Sequence, residues 1–373
     1  MTLAPQDPIR PDATPLAVVA KADLKAMTRA ELTTWVTASL GEPRFRADQI
    51  FRWIHMRGVN SFEEMTDLNK PLRTSLEAVA RLGGLALEDV KRSQDGTRKL
   101  LFRTADGDRI ESVLIPMEDR ITQCVSSQVG CKIGCDFCLT ARMPLRRNLA
   151  ASEIVDQVLW AQKVLAEEAG AGGDGPTRVA NIVYMGMGEP LDNYDNVMRS
   201  LRILTDELGI QISPRRITVS TSGVVPKLQR LAKEDLQPQL AVSLNASHNV
   251  QRTALIPINK AWPIEELVKT LKAFPLATRR RITVEYVLLA GVNDTRDDAE
   301  RVAKMLRGLR CKVNLIPFNP WPGSQYARPT PQAVDGFGQV LLDHGYTVTV
   351  RYSKGDDIGA ACGQLDGTAV HAE

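Results

Sequence analysis

This chain is poor in cysteine, nearly neutral, and without any long apolar run. Six cysteines among 373 residues do not describe a disulfide framework. In a reducing compartment, clustered thiols point to metal or redox chemistry instead. No stretch approaches the roughly 20 apolar residues that span a bilayer, so no membrane partner is expected. The opening MTLAPQDPIRPDATPLAVVA lacks a basic segment followed by an apolar core and does not read as a secretory signal. Its prolines and small residues predict a disordered leader over residues 1–24, and the cytoplasm is the expected setting. No G-x4-G-K-[ST] loop marks a nucleotide switch point. A net charge of +3 says little about partners. Arginine is nonetheless concentrated at RRNL (146–149), SPRRIT (213–218) and TRRRIT (278–283), where a local basic surface and a merely solvated rim are both open readings.

What is present describes an ordinary globular protein with a sizeable core: 43% hydrophobic and 24% charged residues, enough for two domains or for one large barrel with an appendage. Residues 25–85 show apolar positions at three- and four-residue spacing and predict a helical module. Thr28 with Glu31, and Ser61 with Glu64, are capping-box pairs. Residues 86–118 alternate, and Asp95-Gly96 and Asp106-Gly107 interrupt them as hairpin turns do. From residue 119 to 366, strands such as NIVYMG, RITVSTS, QLAVSLNA, RITVEYVLL and KVNLIPF alternate with amphipathic helices. That is a repeated βα unit, read as α/β with a partial (β/α)6 TIM-like barrel, followed by a tail at 367–373. In such barrels chemistry sits at the C-terminal strand ends. There the unusual polar residues fall: Gly188, Glu189, Ser220, Ser243 to Asn245, and Asn319.

Four of the six cysteines lie in CVSSQVGCKIGCDFC (124–138). Cys131, Cys135 and Cys138 follow a C-x3-C-x2-C spacing that can converge on one inorganic centre with a coordination position left open. A [4Fe–4S] cluster is one occupant. A zinc loop completed by His248 or His344 is another, and a non-catalytic zinc-binding RNA-binding protein would follow from it. Cys311, inside a predicted strand, reads as structural. Cys124 and Cys362 stand apart from the loop.

The C-x3-C-x2-C loop after the first barrel strand, with Phe137 before the last cysteine, resembles the radical S-adenosylmethionine (SAM) superfamily. MGMGEP (185–190) resembles that family's motif for the methionine end of the cofactor. The resemblance implies that Cys131, Cys135 and Cys138 hold a [4Fe–4S] cluster whose open iron binds SAM. Gly188, Glu189, Ser220, Ser243, Leu244, Asn245 and Asn319 would contact the rest of the cofactor.

CVSSQVGC, MGMGEPL, STSGVVP, NLIPFNPWPG and GDDIGAACGQL, spread over residues 30–366, further resemble the superfamily's dual-specificity RNA methyltransferases. In that branch the helical N-terminal module assists RNA recognition. The resemblance implies methylation of adenine C2 at adenosine 2503 of 23S rRNA and adenosine 37 of some tRNAs. Cys362 would carry the methyl group as S-methylcysteine, Glu111 would accept the C2 proton, and Cys124 would resolve the adduct through a transient disulfide. A flavodoxin-like electron donor and a thiol reductant are the implied partners, and a monomer is expected. The related C8-specific methyltransferases share these cysteines and are the nearest alternative.

Overall fold

The structure, a computed structural model, describes residues 21–118, 120–171 and 177–367. Residues 1–20 of the expected leader and 368–373 of the tail lie outside the described residues. Among the described residues no helix is long and apolar enough to cross a membrane.

The N-terminal module is three helices: α1 (Arg29–Leu40), α2 (Arg44–His55) and α3 (Lys70–Val79). Helix α1 starts where the capping box predicts, with the Glu31 N–H donating to Thr28 Oγ1 and the Thr28 N–H to Glu31 Oε2. The Ser61 N–H and hydroxyl donate to the Glu64 carboxylate, half of such a box, yet only turns follow them. The helix begins at Lys70 instead, because Asn69 accepts the Leu72 N–H and Pro71 supplies a pre-set first turn. Leu32 and Val36, Ile50 and Ile54, and Leu72 and Leu76 are buried at i,i+4 spacing, each worth about 1.5–3 kcal/mol. A two-strand pairing of Ala22–Asp23 with Ala80–Arg81 ties the module's ends together, and Ser152 Oγ donates to Asp23 where the module meets the barrel. A buried ion pair adds to it, Lys25 Nζ to Asp156 at 2.5 Å.

Among the described residues a ten-stranded sheet dominates the rest, with a two-stranded pairing of Gln128–Val129 and Arg147–Asn148 beside it. The strands are β1 (Ala86–Arg92), β2 (Arg98–Arg103), β3 (Arg109–Met117), β4 (Arg120–Cys124), β5 (Val179–Tyr184), β6 (Ile217–Thr221), β7 (Gln239–Ser243), β8 (Ile282–Leu288), β9 (Cys311–Pro317) and β10 (Val348–Val350). β1 to β4 pair antiparallel, as hairpins. From β4 to β10 every pairing is parallel. Spatial order equals chain order throughout, so there is no reversal of the kind that defines a doubly wound sheet. Parallel crossovers are right-handed as a rule, so crossovers that always advance in one direction place their helices on one face of the sheet. The helices of these crossovers include α4 (Ala151–Gly170), α5 (Tyr194–Thr205) and α6 (Pro331–Asp343).

The sheet is bridged by a strap, residues 353–367, which leaves β10 and returns to the hairpins. Lys354 donates to the Pro116 carbonyl, the Gly355 N–H to Asp95, and Ser93 Oγ to Asp357. Cys362 lies on this strap.

Candidate active site

The C-terminal strand ends and the strap enclose a cavity of about 1120 Å3, counting its open mouth. Cys131, Cys135 and Cys138 line one side, and Cys124, at the end of β4, and Cys362 line another. Gly188, Glu189, Ser220, Ser243 and Asn245 border the same space. These sequence-predicted residues are therefore brought together. Leu244, Asn319 and Glu111 are not on the lining.

The cysteine loop is held from outside by the chain after β9. Tyr326 Oη and Gln325 Nε2 donate to Asp136 Oδ2 at 2.6 and 2.7 Å, Arg142 donates to Oδ1 at 3.0 Å, and Trp321 Nε1 donates to the Phe137 carbonyl. These bonds, the Tyr326 one foremost, hold the Asp136 carboxyl below its usual range. Burial pushes the Cys131 thiol up to about 12 and Cys135 well above its ordinary value, with the neighbouring cysteines and Glu189 adding to the latter. The guanidinium of fully buried Arg252 opposes that rise at Cys135.

Three soft thiols around one space suit an iron–sulfur cluster, whose positive irons would ionise them. Among the described residues no group of three or more His, Cys, Asp and Glu side chains gathers tightly enough for a single metal ion. The zinc reading also loses its fourth ligand. His248 caps a helix through Gln251 N–H, and His344 pairs with Glu300 on the outside of the barrel.

Beside the thiols, Glu189 is built into the backbone. Its carboxylate accepts from Leu191 N–H and from both the N–H and the hydroxyl of Ser222. Burial nonetheless raises its pKa. Gly188 has φ +97°, and a Cβ there would stand 2.5 Å from Gln128 Cβ, so only glycine fits. Ser220 Oγ, near the end of β6, donates to Glu285 in the middle of β8 at 2.8 Å. Asn245, at φ +53°, accepts the Val287 N–H. Leu244 offers backbone only: its N–H bonds the Glu285 carbonyl and its carbonyl accepts from Arg252. Asn319 supports the strap, donating to the Cys362 carbonyl and to Ser353.

Cys362 is accessible to the cavity although protein surrounds it, and burial pushes its thiol up to about 12. Cys124 is buried and pushed up to about 11 for the same reason. Arg351 lines the cavity and its charge opposes both shifts, while Glu285 adds to them. Glu111 lies in β3, 1% exposed, paired with Lys99 at 3.0 Å.

Arg252, Glu285, Arg351 and Lys99 escaped sequence reasoning. Arg252 and Glu285 are single charges in an otherwise regular helix and strand, Lys99 is one of three in its strand, and only the fold brings them inward. Two arginines of the RRNL run are internal fasteners: Arg146 pairs with Asp108, and Arg147 with Asp106 and Glu153.

The sequence matches the family model of the ribosomal RNA large subunit methyltransferase N-terminal domain over residues 22–82, and that of the radical SAM superfamily over residues 125–306. A dual-specificity RNA methyltransferase RlmN from Geobacter sulfurreducens is 50% identical over 345 residues, covering 92% of each chain. Its namesake from Desulfosudis oleivorans is 49% identical, covering 92% of this chain and 90% of its own. The crystal structure of a radical SAM methyltransferase from Sphaerobacter thermophilus superposes with a TM-score of 0.87 at 46% identity, over 93% of this chain and all of the other.

Proposed function

This chain belongs to the RlmN family of radical SAM RNA methyltransferases, and from that premise we propose that it methylates C2 of adenine in 23S rRNA and tRNA by way of a methylated cysteine. The observation that carries this reading is the shared cavity. A three-thiol loop alone would serve any radical SAM enzyme, but here the Cys124 and Cys362 thiols open onto the same space. Adenine C2 is an electron-poor sp² carbon without a lone pair, so it cannot displace a methyl group from a sulfonium. A methyl first parked on sulfur and then activated as a radical avoids that difficulty.

In this reading Cys131, Cys135 and Cys138 hold the [4Fe–4S] cluster. Glu189 and the Gly188 backbone take the methionine end of SAM, and Ser220, Ser243, Leu244, Asn245 and Asn319 take the remainder or support it. Cluster and SAM, when bound, supply the methyl group and the means to generate a carbon radical. Cys362, as thiolate, forms the S–CH3 bond while the sulfonium C–S bond breaks. The Arg351 guanidinium favours that thiolate against the cost of burial. Once a hydrogen atom is removed from S-methyl-Cys362, its methylene carbon adds to C2 and tethers the RNA to the strap. Glu111 takes the C2 proton, and the adduct loses the one electron it must give up to return to a closed shell, which the cluster, when bound, would accept. Cys124 attacks the Cys362 sulfur, the carbon–sulfur bond to the base breaks, and the methylene carbon takes up a proton to leave as the methyl group of the base while the disulfide forms. A thiol reductant of the cytoplasm then restores both cysteines. A flavodoxin-like donor supplies the electron, and the enzyme acts as a monomer. The base must leave its stack to reach so enclosed a site.

Anaerobically reconstituted enzyme, incubated with 23S rRNA and with tRNA, gives the test by nucleoside mass spectrometry. The expected product is 2-methyladenosine. 8-Methyladenosine would assign the chain to the C8-specific branch, and no methylated adenosine would sink the proposal.

A further inference from the structure

The Glu111 carboxylate is engaged on both oxygens. Oε1 lies 3.0 Å from Lys99 Nζ, and Oε2 accepts the backbone N–H groups of Asp366 and Gly367 at 3.0 and 3.3 Å. Its own N–H faces the Met187 sulfur, and its carbonyl accepts from Ser126 Oγ. Asp366 and Gly367 belong to the strap, just beyond Cys362. Gly367 has φ +67°, and a Cβ there would stand 2.9 Å from the Arg109 carbonyl oxygen, so the strap comes down on β3 at a place where only glycine fits. Lys99 grips the strap a second time, its ammonium donating to the Gly359 carbonyl at 3.3 Å, just before Cys362. One ion pair, 5% and 1% exposed at its two side chains, thus fastens the strap on both flanks of the reactive thiol. Of the remaining bonds near Cys362, Gln364 Nε2 donates to the Asp356 carboxylate, itself paired with Arg328, while Leu139 N–H to the Gly363 carbonyl, Thr140 Oγ1 to the Leu365 carbonyl and Asn319 to the Cys362 carbonyl are neutral.

We infer that Lys99 and Glu111 form a releasable anchor for the strap that carries Cys362, with Lys99 as a positioning residue, and that a proton taken up by Glu111 loosens it. Hydrogen bonds to a carboxylate are about twice as strong as neutral ones. A protonated carboxyl weakens both amide bonds and leaves the buried Lys99 ammonium without its counter-charge, a state that favours opening. The anchor stands on the geometry alone; its timing rests on the reading of Glu111 as proton acceptor. On that reading one proton passes from the base carbon to Glu111, no electron moves in that step, and the same event frees Cys362 to be reached by Cys124.

Hydrogen–deuterium exchange of the strap peptide, read by mass spectrometry on the full-length cluster-loaded enzyme without RNA, tests this. In Lys99→Met and Glu111→Gln the Asp366 and Gly367 amides should exchange about tenfold faster than in the wild type, while Lys99→Arg stays within about twofold of it. Strands β6 to β8 serve as the internal control. Unchanged strap protection in Lys99→Met overturns the anchor, and so does an increase spread equally over β6 to β8. Should Lys99→Met fail to fold, Glu111→Gln carries the same comparison. The two readings of Glu111 separate cleanly. A loosened strap with wild-type methylation in Glu111→Gln would refute the acceptor role and leave the anchor standing; a protected strap with methylation lost does the reverse.

Discussion

Cys124 and Cys362 share a cavity but meet it from unlike backbones. Cys124 ends β4, its carbonyl accepting from Ser112 Oγ and its position fixed opposite Val113 and Val183 in the ladder. Cys362 sits on a strap with no ladder partners, accessible on one side. In the proposed reaction the thiol that reaches a sulfonium and then carries a tethered base is the one on the strap, and the resolving thiol is the one fixed in the sheet. Replacing the fixed one should therefore block release rather than attachment. Cys124→Ala is expected to accumulate RNA joined covalently to Cys362, visible as a slow-migrating band on a denaturing gel and as an RNA-linked tryptic peptide. Free methylated RNA at normal yield from this variant would remove Cys124 from the reaction.

At the scale of elements, the sequence was informative where periodicity or a local turn decides the outcome. The parallel strands, their intervening helices and the hairpin turns at Asp95-Gly96 and Asp106-Gly107 fall where alternation and spacing put them. The Ser61–Glu64 pair misled, because a capping box satisfies N–H groups in a turn as well as in a helix, and only tertiary context tells them apart. The strap was illegible for a different reason. Apart from one short 3-10 turn at Asp356–Ile358 it has no regular structure, and its course is set by residues 93–99 and 111, some 250 positions away. The three-thiol loop announced itself by spacing, whereas Lys99 and Arg351 have no local signal at all.

Helix α2 carries a similar hidden feature. His55 is fully buried, both ring nitrogens lack a protein partner, and burial with the nearby Lys25 charge pulls its pKa from 6.5 to about 3. Above pH 6.5 the ring is neutral folded or unfolded and contributes no pH dependence. Below it the unfolded chain takes up a proton that the folded protein refuses. Stability then falls by up to about 1.4 kcal/mol per pH unit until the folded value is reached. Between pH 7 and 5 the wild type should lose about 2 kcal/mol more than His55→Leu in urea unfolding. Equal losses in the two proteins would mean that the ring finds a proton-accepting partner when folded.

At the scale of the whole molecule, the site is an addition to the fold rather than its keystone. The main core runs through the N-terminal helices, the sheet and its outer helices, and it takes in Cys124 and Cys311 but none of the loop thiols. Cys131 and Cys135 pack instead on a small separate cluster built from Ile133, Leu255, Ile256, Leu289 and Phe318. The loop is also tethered without any metal, through Asp136 to Tyr326, Gln325 and Arg142. A structural zinc site would contribute folding energy outright, and its removal would unfold the domain around it. Here removal of all three loop thiols should leave the main thermal transition nearly in place. For Cys131→Ser/Cys135→Ser/Cys138→Ser we expect loss of iron, acid-labile sulfide and brown colour, with Tm within about 2 °C of the wild type, the shift that roughly 1 kcal/mol produces in a domain of this size. Calorimetry and iron analysis on the same samples decide it. A wild-type protein that holds zinc without iron, or a triple variant whose main transition is lost, would show that the loop is structural and not a catalytic cluster site.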